Sequence, residues 1–358
     1  MVCYPLPLFK TRNIMKTIVI VNTQLQLLNS IECISHININ KADLILYAQG
    51  KGRMSQLEKF LQVDTFRSCF NRIYRFTNYF KKDRIIPWLS FLFIWYLCKH
   101  NRYDNCIVGH YMFSTSKHLI RMCRKFNPHV NIYVVDDGMA SLMIAEKRNQ
   151  ELHTKDSISN MAIEGRLLRL YMKSRREEYF TPKLVFFTVF NQLNNSVDRF
   201  ICNKYEFINK LFTDIFIGKN MIEAEMIILG QPLYLNSGIR YKDYMKYIAK
   251  VVDQNSDCKI IYYPHPEEKL DEDAFRLFQN LKLVKNEFSI EVISLLLPNC
   301  KKVVGFFTSA LVTLKYFRAD IELQSIVVSP KHVEAKFYPV YEKCYKDFEE
   351  RGITLLKF

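Results

Sequence analysis

The chain has 358 residues, 49% of them hydrophobic, with 27 Phe, 21 Tyr and only ten Gly. That length suits two packed domains, and the scarcity of glycine argues against a loop-rich all-β design. The formal net charge of +15 points to anionic partners, among them nucleotides, phosphorylated lipids, a membrane surface or nucleic acid.

The cysteines are scattered through apolar runs, with no CxxC pair and no zinc-type spacing. This usage fits a reducing cytoplasm. No secretory signal is expected, and residues 1–14, ahead of Met15-Lys16, read as a dispensable extension. No apolar segment reaches the roughly 20 residues needed to span a bilayer.

Thr17 to Asn22 predicts a buried strand, and Thr23 an N-cap for a helix over Gln24–His36. A strand over Ala42–Tyr47, a helix over Met54–Leu61 and a strand over Arg72–Phe76 follow. Ile85 to Cys98 is strongly apolar but short, and Pro87 interrupts its start. It reads as a buried helix, with an interfacial helix as the alternative because it carries both Trp of the chain. Asn105–Val108 predicts a strand entering Gly109-His110, Ser114–Phe126 a helix, and Val130–Val135 a strand entering Asp136-Asp137-Gly138. Residues 146–165 are charge-rich and without period, and predict a mobile loop. Arg166 to Arg176 mixes basic and apolar residues at helical spacing, as a membrane-surface helix or a solvated basic face does.

Short apolar runs recur at Lys183–Phe190, Arg199–Cys202 and Met226–Leu229, the last entering Gly230-Gln231-Pro232. Lys242–Asp253 predicts a helix and Lys259–Tyr263 a strand entering Pro264-His265-Pro266. A helix over Ile290–Leu297, a strand over Lys302–Val304 and a helix over Ser309–Tyr316 follow, with Glu322–Val328 as the last strand. The alternation predicts α/β architecture with doubly wound parallel sheets. Two domains are expected, 1–182 and 183–358.

In such sheets ligands bind beyond the carboxyl ends of strands. The acid pair and His265 fall at two such ends, and carboxylate as base with histidine as acid suits group transfer. Two prolines fix the backbone around His265. Thr308-Ser309 opens a helix, where free N–H groups and hydroxyls can hold a phosphate or simply cap the helix. The adjacent spacing of Asp136-Asp137 is wrong for a DxD metal motif, and no Walker loop, GxGxxG turn or zinc pattern is present.

Asp136-Asp137-Gly138, His265-Pro266 and Thr308-Ser309, in that order, resemble the acid-acid-glycine, His-Pro and Ser/Thr motifs of bacterial sialyltransferases, most of all the lipooligosaccharide family. The resemblance implies a GT-B fold, with two Rossmann-like domains facing across a cleft, the first on the acceptor side and the second binding nucleotide-sugar. It implies inverting, metal-independent transfer of sialic acid from CMP-sialic acid to a galactose-type terminus of a lipooligosaccharide, O-antigen or capsule intermediate, with no cofactor. His265 would then serve the leaving phosphate, and Thr308 and Ser309 would bind it. The base would be Asp136, Asp137 or Asp243, or the acid pair would be structural. Glu291 resembles the carboxylate that grips the ribose, and Gly230 and Gln231 would approach the nucleotide. A GT-B enzyme with a glucose or Kdo nucleotide as donor is the alternative, and a basic nucleic-acid-binding protein a remote one, since no nucleic-acid motif appears. The resemblance is compatible with a homodimer. A lipid-linked acceptor implies peripheral attachment to the inner face of the cytoplasmic membrane, expected through Arg166, Arg169, Lys173, Arg175 and Arg176.

Overall fold

The protein is described by a computed structural model. It describes residues 15–78, 86–138, 140–159, 161, 163, 166–190, 195–216, 223–236, 238–265, 267–284, 288–295, 297 and 299–358. Residues 1–14 and Pro266 therefore lie outside the described residues.

The first sheet holds β1 (Thr17–Val21), β2 (Ala42–Gln49), β3 (Phe70–Asn78), β4 (Asn105–Val108), β5 (Asn131–Val135), β6 (Val185–Thr188) and β7 (Arg199–Cys202). The second holds β8 (Met226–Leu229), β9 (Ile260–Tyr263), β10 (Leu281–Leu283), β11 (Lys302–Gly305), β12 (Glu322–Ile326) and β13 (Thr354–Leu356). Their orders are β3-β2-β1-β4-β5-β6-β7 and β10-β9-β8-β11-β12-β13. The strand pairs are parallel. Each order reverses direction once, between β1 and β4 and between β8 and β11, which makes each half a doubly wound unit with its own switch point.

Helices α1 (Gln24–His36), α2 (Lys51–Leu61), α3 (Asp64–Ser68), α4 (Ile86–Asn101), α5 (Ser114–Phe126), α6 (Ala140–Thr154), α7 (Arg166–Lys173), α8 (Arg176–Tyr179) and α9 (Glu206–Phe216) accompany the first half. The second carries α10 (Leu233–Asn236), α11 (Tyr241–Asp253), α12 (Glu272–Arg276), α13 (Ile290–Leu295), α14 (Ser309–Phe317) and α15 (Tyr338–Glu350). Thr23 caps α1, its hydroxyl accepting from the Gln26 N–H at 3.3 Å. Both faces of β1 are buried: Val19 and Val21 join one apolar cluster, Ile18 and Ile20 another. A sheet covered by helices on both sides requires such unbroken apolar strands. The cluster around Val19 and Val21 runs on through Tyr205 and Ile208 to Ile227, Val303 and Leu311, so one core joins the halves.

Several expectations are corrected. β6 and β7 pair in the first sheet, so the sheets change over between Cys202 and Met226, not at 182/183. Short apolar runs reveal a strand but not its sheet. Residues 146–154, expected as loop, belong to α6. Two of their charges, Arg148 and Glu151, are buried. Arg148 holds Asp198 with two nitrogens at 2.9 Å, Lys117 meets Glu151 at 2.8 Å, and Asp198 also accepts from the Leu184 N–H at 2.8 Å. Burial lowers the Lys117 ammonium to about 8, against the pull of Glu151. α4 buries only one face, with Phe91, Ile94, Leu97 and Cys98 inward and Leu89, Leu92 and Tyr96 exposed. The last strand is β13.

Breaking this network leaves a buried charge unpaired. Arg148→Met is expected to lose about 3–5 kcal/mol in urea unfolding. Glu146→Gln, on the exposed side of α6, should stay within about 0.5 kcal/mol of wild type. Equal stabilities would contradict the network's role.

A candidate active site between two sheet edges

The carboxyl edges of the two sheets face one cleft. From the first half, β1 runs into Asn22-Thr23, β4 into Gly109-His110 and β5 into Asp136-Asp137-Gly138. From the second, β8 runs into Gly230-Gln231, β9 into Pro264-His265 and β11 into Phe306-Phe307-Thr308. Two cavities open there. One, of about 290 Å³, is lined by Thr23, Arg53, Gly230, His265, Glu291, Thr308 and Ser309 among others. The other, of about 380 Å³, is lined by Asp137, Gln231, Phe307 and again His265, Thr308 and Ser309. His265 and the hydroxyl pair therefore stand where the two spaces meet.

Gly138 brings the halves together. Its φ is +62°, which glycine adopts freely, and a Cβ there would lie 2.6 Å from Ser309 Oγ. A side chain at 138 would be strained at this φ and would have to displace the Ser309 hydroxyl.

The two acids have different environments. Asp136 is buried; one carboxylate oxygen accepts from the Val189 N–H at 2.7 Å, and its carbonyl from Asn29 at 2.9 Å. It ties β5 to the end of β6. Asp137 lines the second cavity, with Oδ2 3.8 Å from His110 Nε2. Burial raises Asp137 to about 6, opposed by the Gln26 side chain and the Arg53 charge. Asp136 is also raised to about 6 by burial, opposed by Thr188, Val189 and Ser141, with the Asp137 charge adding to the rise. Burial lowers His110 to about 4, so its ring is neutral beside Asp137.

His265 is held by its own loop. The Glu267 N–H donates to Nδ1 at 3.2 Å, which puts the neutral ring's proton on Nε2. The crowded cleft lowers the imidazole below its usual value, with Glu267 opposing and Arg53 assisting. The loop is anchored by Glu268, which accepts from the His265 N–H at 2.8 Å, Tyr262 at 2.8 Å and Tyr244 at 2.9 Å. A Cβ at Gly230 would lie 2.0 Å from this carboxylate, so Gly230 is the space Glu268 occupies. The Gln231 N–H donates to Tyr244 at 3.1 Å, in the same network.

Thr308 caps α14, accepting from the Ala310 N–H at 3.3 Å, so the cap and cavity-lining readings coexist. Glu291 is buried rather than solvent-facing, and accepts from Thr313 at 2.7 Å while lining the first cavity. Asp243 is not brought to this site. It lines neither cavity, and its buried carboxylate pairs with Arg240 at 2.6 Å and Lys246 at 3.3 Å. Burial would raise it, yet these cations hold it below the usual carboxylate range.

The sequence reading missed Arg53, His110, Gln26 and Glu268. Arg53 is the one Lys or Arg among the described residues lining either cavity, and it meets Glu267 across the cleft at 3.0 Å. Two signals were present: Gly109-His110 at a strand end, and Glu268 two residues after the His-Pro motif. Among the described residues no cluster of three or more His, Cys, Asp or Glu could hold a metal ion.

Residues 99–327, well over half the chain, match the family described as alpha-2,8-polysialyltransferase (POLYST). The chain belongs to this alpha-2,8-polysialyltransferase family. The matched stretch contains the acid-acid-glycine, His-Pro and Thr-Ser motifs, and bears out the resemblance to bacterial sialyltransferases. Among solved structures, the UDP-N-acetylglucosamine 2-epimerase of Rickettsia bellii is similar in fold, with TM-score 0.53 and 12% identity over 88% of this chain and 80% of that one. TcCGT1 in complex with UDP is similar with TM-score 0.50 and 10% identity, over 96% of this chain and 86% of that one. The fold is GT-B. An uncharacterized protein of Haemophilus influenzae is 25% identical over 134 residues, 37% of this chain and 42% of its own length, so the polysialyltransferase-family chain spans less than half of that relative.

Glu268→Ala removes one acceptor from three donors. It is expected to cost about 1–3 kcal/mol of stability, read by thermal or urea unfolding. Exposed Glu267 changed to Ala should cost under about 0.5 kcal/mol. The reverse ranking would remove Glu268 as the anchor of the His265 loop.

Proposed function

We propose that this chain transfers sialic acid from CMP-sialic acid to a sugar hydroxyl of a surface-glycan acceptor, by direct displacement with inversion. The observation that carries the reading is that Asp137, His265, Thr308 and Ser309 line one cavity. Asp137 takes the proton from the attacking hydroxyl as the new carbon–oxygen bond forms. The bond from the sialyl carbon to the phosphate oxygen breaks, and its electron pair leaves with CMP. His265 Nε2–H, the two hydroxyls and the α14 N-terminus face that growing negative charge. Glu291 receives the ribose hydroxyls in the first cavity, with Gly230 and Gln231 beside the nucleotide. Asp136 acts through its hold on Val189, and Asp243 keeps a structural ion pair. The reading needs no metal, because neutral donors and Arg53 meet the donor's charge.

A galactose-type terminus is the acceptor implied by the motifs. The family match favours a second acceptor, a terminal sialic acid. Incubation with CMP-sialic acid, galactosides and sialylated oligosaccharides, followed by mass analysis, separates them. Gain of a sialyl unit with release of CMP is expected from at least one. Transfer only from a glucose or Kdo nucleotide would overturn the donor assignment.

His265→Ala and Asp137→Asn are each expected to lower turnover by about 10²–10⁴-fold. Asp243→Asn should keep turnover near wild type. A dead Asp243→Asn with an active Asp137→Asn would reverse the base assignment.

The pH profile carries a sign. A base must be ionised to accept a proton, and Asp137 sits at about 6. Below that value kcat/KM is expected to fall about tenfold per pH unit, and above it to level off. An acid limb centred near 4 would place the base in an unburied carboxylate.

A further inference from the structure

Half of the twelve exposed large hydrophobics among the described residues lie on two helices, α4 and α7. On α4 they are Leu89 (54% exposed), Leu92 (63%), Trp95 (39%) and Tyr96 (52%), spaced along one outward stripe. On α7 they are Leu167 (70%) and Leu170 (55%). Six such residues gathered on two elements form a patch rather than scattered surface apolarity.

The two helices share one footing. Leu168 and Met172 of α7 pack with Phe91 of α4 in a single small core, against which Trp88 and Tyr171 lie. Trp88 and Tyr171 meet edge to face, with ring centroids 5.5 Å apart. Helical spacing places Leu92 one turn beyond Trp88, and Leu167 one turn before Tyr171. The outward stripes thus continue across the contact.

Charge selects the occupant. Arg166, Arg169 and Lys173 are exposed on α7, and none has a carboxylate within ion-pair distance among the described residues. Arg175, by contrast, is engaged by Glu178 at 3.1 Å. On α4, Lys99 lies over the Trp95 ring at 4.9 Å. Aliphatic and aromatic side chains flanked by unpaired cations match an anionic lipid surface, where rings settle among headgroups and cations meet phosphates. Among the described residues no helix is long and apolar enough to cross a membrane.

We propose that α4 and α7 together form a docking surface for an anionic phospholipid bilayer, held by both shallow apolar insertion and charge. The surface belongs to the half that carries Asp137. The proposal does not depend on which sugar is transferred.

Both Trp of the chain, Trp88 and Trp95, lie on α4, so intrinsic tryptophan fluorescence reads this surface alone. Vesicles of phosphatidylglycerol and phosphatidylcholine should shift it to the blue and float the protein, whereas pure phosphatidylcholine should do so weakly. Salt should reduce flotation without abolishing it. Arg166→Gln/Arg169→Gln/Lys173→Gln should lower partition on the order of a hundredfold. Leu92→Gln/Leu167→Gln should lower it on the order of tenfold and make the remainder fully salt-sensitive. These side chains are exposed, so circular dichroism should show both variants folded. No flotation of wild type on anionic vesicles at low salt overturns the proposal, as does wild-type partition of either variant. A concentration-dependent dimer in sedimentation that Leu92→Gln/Leu167→Gln dissolves would assign the surface to a second copy instead. Flotation without any transfer from CMP-sialic acid would leave this proposal standing and remove only the donor reading.

Discussion

Where the two halves meet, residue 138 has no room for a side chain beside Ser309 as it stands. At φ +62° and 2.6 Å from Ser309 Oγ to where a Cβ would be, Gly138 lets the edge of one sheet touch the helix that opens the site in the other. Two parallel sheets present strand ends and helix N-termini along their carboxyl edges. With the edges in contact, an acid on one stands opposite donors on the other. Gly230 repeats the device on a smaller scale, since its missing Cβ leaves room for the Glu268 carboxylate that fixes the His265 loop.

The electrostatics follow from this geometry. A chain of +15 brings one cation, Arg53, to its described cavity walls, and that cation faces Glu267. The other Lys and Arg among the described residues line neither cavity, and three of them stand on the exposed face of α7. Within the cleft, burial dominates. It raises Asp136 and Asp137 alike, yet their contacts divide their work: Asp136 is committed to the Val189 N–H, whereas Asp137 faces open space beside a neutral His110. Two adjacent carboxylates thus stand in different surroundings, set by their partners rather than by their identity.

Much of this was legible in the sequence where local physics decides. The helices over Gln24–His36 and Ser114–Phe126 and the strands at Asn105–Val108 and Met226–Leu229 stand where apolar period and capping put them. The motifs fell at strand ends because parallel sheets expose function there. What failed was long-range. Arg148 and Glu151 look like solvated loop charges until Lys117 and Asp198, far away in sequence, are brought against them. β6 and β7 carry no local mark of the sheet they join. Asp243 is a separate, local case: it pairs with Arg240 and Lys246, three residues to either side, and lines neither cavity. Glu268 could not be weighed, because its value lies in three donors that only the fold assembles.

On the proposed reading, the meeting point of the two cavities holds the phosphate of a cytidine nucleotide. A crystal structure of the protein soaked with CMP tests it most directly. The phosphate is expected within hydrogen-bond reach, about 3 Å, of His265 Nε2 and the Thr308 and Ser309 hydroxyls, with the ribose against Glu291. CMP bound elsewhere, or with its phosphate turned away from His265, would contradict it.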